Sequence, residues 1–302
     1  MSEDALSKEA KGDIQWYEDI IPVRGCHLTL PRIKAAYREL WVLTKKQGDT
    51  IVGGLVKPED MSDEDFAKRN EFLKDDAFRV TVSIIGFDGE TTFGSTEAIF
   101  DSKNLPQPIR TIFFTNVTAF RKHANGGDPP NQFSVWLHFD KPPLFDPNPL
   151  VSEPTKNSSE VQIRADDVGY FRAIQTIVSG KLRSNKKSLS FIHEKFAYDI
   201  GLWFLALPYA LYWITIYNDY FFPVDGRHTS FRVAFYIYGM GISLLLYRAL
   251  FGYLKWAFPV NILEENKDKA TKHRYVLGGI VTSLLVAGAK SVLGTVTGIT
   301  GP

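Results

Sequence analysis

The sequence predicts an α+β soluble domain of about five mostly antiparallel strands flanked by helices. An α-helical membrane hairpin follows, and a third membrane helix is left open. Three observations carry this reading. Nearly all long uncharged runs lie after residue 195, whereas most Pro, Asp and Glu lie before it. Ile200–Tyr217 runs for eighteen residues without a charge. Upstream, apolar and polar residues alternate with the period of two that marks half-buried strands.

Composition narrows the function classes. The 302 residues carry a net charge of +1 and a single cysteine, Cys26. No global field favours nucleic acid, and an intramolecular disulfide is excluded. Met1–Asp13 is charged and has no apolar core, so no signal peptide is expected. Insertion into a membrane would then be directed by the downstream apolar segments, which favours a cytoplasmic N-terminal domain.

The divisions that follow are 1–31 as an N-terminal extension and 32–180 as the cytosolic α+β domain. Residues 181–197 form a basic juxtamembrane linker, 198–258 the transmembrane hairpin, and 259–302 a cytosolic linker with a third hydrophobic segment. Within the domain, Ile33, Ala36, Tyr37, Leu40, Trp41 and Leu43 predict a helix over Arg32–Gln47. Ser62 followed by three acidic residues predicts a helix start. Phe78–Ile84 alternates as a strand, Asp88-Gly89 supplies the turn, and Thr91–Phe100 is expected to return antiparallel. Ile109–Phe120, Phe133–Phe139 and Val161–Ala165 are further strands. In Phe133–Phe139, Phe133, Val135, Leu137 and Phe139 face one way, and Ser134, Trp136 and His138 the other. Asp166 is expected to cap a helix carrying Phe171, Ile174, Ile177 and Val178. Such a sheet covers one face with helices and leaves the other exposed.

In the membrane region, Ile200–Tyr217 spans about 27 Å as a helix, close to a hydrocarbon core of roughly 30 Å. Its tyrosines and tryptophans suit membrane interfaces, and Pro208 is tolerated there. Val233–Tyr247 extends to Leu254 if Arg248 and Lys255 reach toward an interface. Pro223 and Asp225-Gly226 make the turn between the two. Basic residues flank both outer ends, which predicts the Asn218–Arg232 loop outside and both flanks in the cytoplasm of a plasma or inner membrane. Tyr275–Ala289 is uncharged but ends at Lys290, and Gly279, Ser283, Ala287, Ser291 and Thr295 recur every four residues. On a helix that spacing is a ridge of small side chains for close helix packing.

Chemistry-bearing motifs are few. His193-Glu194 lacks the second histidine of HExxH, the other histidines have no ligand spacing, and no phosphate-loop pattern occurs. No catalytic, cofactor or metal residue is assigned. The cluster Lys181, Arg183, Lys186, Lys187 and Lys195, with Lys255 and Trp256 at the far end of the hairpin, is assigned to the lipid interface and to anionic headgroups. The function expected is a membrane-anchored, non-enzymatic sensor or interaction module whose cytosolic domain binds a partner or ligand. The expected associates are the bilayer and a second copy or another membrane protein, with no nucleic acid. Two alternatives stand beside it: an oligomeric pore-forming effector gated by that domain, and a membrane-surface enzyme using His138 or His193.

Overall fold

The computed structural model describes residues 15–144, 153–183, 188–194, 196–223, 228–266, 270–279 and 283. They fall into two compact units. The first contains the described residues up to Asp140, together with Thr155–Phe191 and Val260–Asn266. The second contains the described residues of 141–154 and 192–259, together with 270–279 and 283.

The first unit is built on a six-stranded, fully antiparallel sheet. Its strands are β1 (Tyr17–Pro22), β3 (Thr81–Gly86), β4 (Thr91–Gly94), β5 (Ile109–Thr115), β6 (Asn131–His138) and β7 (Glu160–Ala165), in the order β1-β7-β6-β5-β3-β4. β2 (His27–Leu28) pairs in parallel with β8 (Ile262–Leu263) in a separate short ladder. Four helices accompany the sheet: α1 (Leu30–Gly53), α2 (Asp63–Asp76), α3 (Val117–His123) and α4 (Val168–Ile177).

Local chemistry explains the boundaries. Thr29 accepts the Arg32 N–H at 3.3 Å and Pro31 supplies a preset φ, so α1 begins two residues before the periodic residues imply. Ser62 caps α2 by accepting from Asp65 N–H at 3.1 Å, as the sequence predicts. The cap of α4 is Asp167, which accepts from Gly169 N–H at 2.7 Å, and not Asp166. Gly89 takes a φ of +90° in the tight turn between β3 and β4.

Two strands are shorter than the alternation suggests. β4 ends at Gly94, because Ile99 and Phe100 turn inward on a 3₁₀ turn at Glu97–Asp101. A side chain at 94 would press on Ile99 Cδ1 at 3.1 Å. β5 ends at Thr115, where the Asn116 side chain accepts from Phe133 N–H at 3.0 Å and donates to the Asn131 carbonyl at 2.9 Å. The chain then turns into α3. β1 completes the sheet as a sixth strand beside β7, from a stretch in which the sequence reading sees no element.

The core lies between the sheet and one helical layer. Ile33, Ala36, Tyr37 and Leu40 of α1, with Ile174 and Ile177 of α4, pack on Val82, Ile84, Ile112, Phe114, Val135 and Ile163. Tyr37 is fully buried and donates its hydroxyl to the Val80 carbonyl at 3.0 Å. Helical backbone continues past α4 as a π turn over Val178–Leu182, whose Leu182 is fully buried.

Val260–Asn266 is stitched into this unit. Asn261 accepts from Cys26 N–H at 3.1 Å and donates to the Val23 carbonyl at 2.7 Å. Asn266 accepts from Ile109 N–H at 2.8 Å and donates to the Ile109 carbonyl at 2.7 Å. Glu265 accepts from Leu30 N–H at 2.8 Å, satisfying a free donor at the start of α1.

The second unit is a helical hairpin. α5 (Ala197–Gly201), a π turn (Leu202–Ala206) and α6 (Leu207–Phe221) form one rod, Ala197–Phe221. The π turn lies just before Pro208, which lacks an N–H and collides with the carbonyl four residues back, and widening the turn relieves that crowding. α7 (Thr229–Ala257) runs antiparallel to the rod. Tyr236 donates to Thr215 Oγ1 at 3.2 Å, Arg232 pairs with Asp219 at 2.6 Å, and Tyr247 donates to the Tyr198 carbonyl at 2.9 Å. Gly239 admits Ile214, and Gly201 admits the Tyr247 hydroxyl.

Candidate functional site

On the face of the sheet turned away from α1 and α4, the period of two brings a row of rings into register. Phe113 of β5 lies directly opposite Trp136 of β6, and their rings stack at 3.8 Å. His138, two residues along β6, lies parallel to Trp136 at 6.2 Å. Phe93 on β4 and Ile20 on β1 lie at the two opposite edges of the sheet and are 66% and 61% exposed; Ser83 separates Phe93 from Phe113, and Glu160 and Gln162 of β7 lie between Trp136 and Ile20.

Two arginines beside this face are each paired with a carboxylate. Arg110 pairs with Asp140 at 2.8 Å. Arg164 pairs with Glu18 at 3.0 Å and lies over the Trp16 ring at 4.4 Å. Gln132, Ser134, Gln162 and Ile20 border a hollow of about 280 Å³ near β1. His138 Nδ1 lies 3.1 Å from the Thr111 hydroxyl and 3.9 Å from Asp140. Burial lowers its pKa below the ordinary value of 6.5, and Asp140 opposes that shift. Its ring is therefore neutral near pH 7 and held in place by Thr111.

His193 belongs to the other unit. It is buried, its Nε2 lies 2.6 Å from the Phe258 carbonyl, and burial lowers its pKa as well. Among the described residues no group of three or more His, Cys, Asp and Glu could hold a metal ion.

The residues assigned to the lipid interface are spread over both units. Lys181 pairs with Glu39 of α1 at 3.0 Å in the first unit. Arg183 follows the π turn after α4 and is partly buried. Lys255 is buried in the second unit, donating to the Glu153 carbonyl at 2.7 Å and lying 5.3 Å from the Phe251 ring. Trp256 receives Lys141 over its ring at 5.5 Å. Lys186, Lys187 and Lys195 lie outside the described residues. In the small-residue ridge, Gly279 faces open space and Ser283 donates to the Gly279 carbonyl at 2.9 Å. Ala287, Ser291 and Thr295 lie outside the described residues.

The surface of the hairpin is the other unusual feature. Trp203, Phe204, Leu205, Tyr209, Ile237 and Tyr238 are all more than 60% exposed. Of the most apolar stretch of each rod, 6% and 0% is buried. A helix that belongs to a water-soluble core hides its apolar side chains, and these do not.

The fold and its surfaces thus define an α+β sheet domain carrying two helices long and apolar enough to cross a membrane. Comparison with known proteins gives no further resolution: no family model, curated protein or solved structure matches the chain.

Proposed function

We propose that the protein is a membrane-anchored, non-enzymatic recognition module. The hairpin Ala197–Ala257 is its anchor, and the uncovered face of the sheet receives an apolar or aromatic segment of a protein partner. The observation that carries the anchor is the outward apolar surface of two rods of 25 and 29 residues. At a 1.5 Å rise each exceeds the roughly 30 Å of a hydrocarbon core. Lipid is the solvent that suits Trp203, Phe204, Leu205 and Ile237.

Connectivity supports placing both ends of the hairpin on one side, and charge alone selects which side. Thr155–Phe191 and Val260–Asn266 belong to one packed unit, and the hairpin connects them. Its two ends then lie on one side of any bilayer it crosses, in keeping with two crossings and with basic flanks in the cytoplasm. The choice of partner rests on the aromatic row. Arg110 and Arg164 are already paired with carboxylates, so a phosphate-rich partner finds little free charge there, whereas an apolar segment can cover Phe93, Phe113 and Trp136.

Alkaline carbonate extraction of membranes containing the full chain tests the anchor: the protein should stay in the pellet. Release into the aqueous wash would refute the membrane reading. Protease added to sealed, cytoplasm-inside vesicles should leave the sheet domain intact, and its digestion would reverse the sidedness.

A further inference from the structure

We infer that a cavity on the helical side of the sheet domain binds a small zwitterion carrying an amide, of the free amino-acid or short-peptide class. The cavity holds about 550 Å³ among α1, the first residues of β6 and the start of α4. That is within the range of roughly 300–1,000 Å³ typical of small-molecule sites. It is distinct from the aromatic face, lies wholly within the first unit, and does not depend on the hairpin crossing a bilayer.

Three side chains give the cavity its chemistry. Gln47 lines it, is only 7% exposed, and has no hydrogen-bond partner for either Nε2 or Oε1. A buried amide with both groups unmet is costly to the fold. Filled cores normally satisfy or replace such a group, so its presence here points to a partner that arrives from outside. Lys46 and Asp166 also line the cavity, and neither has an ion-pair partner among the described residues. Asp167, by contrast, is already committed to capping α4. Leu43 and Ile51 supply an apolar wall.

An amide pairs with another amide by matching donor to acceptor on both sides. A ligand with an amide for Gln47, an ammonium for Asp166 and a carboxylate for Lys46 would satisfy all three. Free glutamine meets the requirement through its side-chain amide, and a dipeptide meets it through its peptide bond.

Isothermal titration calorimetry of the full chain in detergent micelles, with L-glutamine and separately with glycyl-L-leucine, tests the inference. Saturable binding of either supports it, and the one that binds assigns the class. Gln47→Leu should weaken binding at least about tenfold, the loss expected for one buried hydrogen-bonding partner. Its melting temperature should stay at or above that of the wild type, which separates lost binding from lost folding. Lys46→Ala, at an exposed position, should weaken L-glutamine about tenfold while leaving L-glutaminamide, which has no carboxylate, unchanged. Absence of heat with both ligands at millimolar concentration would overturn the inference. So would wild-type affinity in both Gln47→Leu and Lys46→Ala.

Discussion

Glu265 accepts the backbone N–H of Leu30 at 2.8 Å, across a sequence separation of 235 residues. The segment that follows the hairpin thereby finishes the first helix of the sheet domain. Asn266 does the same for the start of β5, using both halves of its amide on Ile109.

Replacing Asn266 by alanine leaves a buried N–H and a buried carbonyl without partners. The expected loss is about 2–6 kcal/mol of unfolding free energy, given roughly 1–3 kcal/mol for each of the two unsatisfied groups. Urea denaturation followed by tryptophan fluorescence measures it. A loss below the error of the midpoint would mean that this contact is dispensable.

The alternation along β6 separates two faces that differ in cost. Leu137 is fully buried, and Leu137→Ala should destabilise by about 2–5 kcal/mol. Trp136→Ala, next to it on the open face, loses mainly the stack on Phe113 and should cost about 1 kcal/mol. Thermal unfolding of the two variants side by side decides whether the faces are assigned correctly, since equal losses would contradict the assignment. If the open face recognises a partner, Trp136→Ala should also reduce capture of that partner while the variant remains folded.

Stability should fall on acidification. The His138 and His193 pKa values are both lowered from 6.5, in each case mainly by burial. Below pH 6.5 the unfolded chain binds protons that the folded chain resists, so stability present above that pH is lost as pH falls through the lowered values. Melting temperature recorded between neutral and mildly acidic pH checks the sign. A His138→Asn variant should show a shallower decline, and an identical slope would remove His138 from the explanation.

Gly239 tests the packing of the hairpin. A Cβ there would meet Ile214 Cδ1 at 3.1 Å, so a bulky side chain must push the two rods apart. Gly239→Leu is expected to cost about 1–3 kcal/mol, in line with overpacked cores. Loss of near-ultraviolet ellipticity at lower denaturant than in the wild type would register it.

Much of this fold was legible because its signals are local. The helical spacing of α1, the Ser62 cap, the Asp88-Gly89 turn, the alternation in β6 and the uncharged run Ile200–Tyr217 each depend on neighbours in sequence. What escaped depends on distant partners. β1 exists as a strand because β7 lies beside it, and β8 because β2 does. Nothing in the residues after Asn116 announces that its side chain will hold Asn131 and Phe133 and so end β5. The candidate site divides the same way. Trp136 and His138 share a face by simple alternation, but their juxtaposition with Phe113 requires the β5–β6 register. Gln47 reads as an ordinary polar residue near a helix end, and only the packing of α1 against the start of α4 turns it into the floor of a cavity.

Because Asn261, Glu265 and Asn266 complete the sheet domain, translation must pass the whole hairpin before Cys26, Leu30 and Ile109 find their partners. A nascent chain therefore commits its oily rods while its sheet is still unfinished. A product cut short before residue 260 leaves the N–H groups of Cys26, Leu30 and Ile109 without these acceptors. Excising residues 192–259 and bridging the gap with a short flexible linker, rather than simply stopping the chain, keeps Val260–Asn266 with the sheet unit to which it belongs.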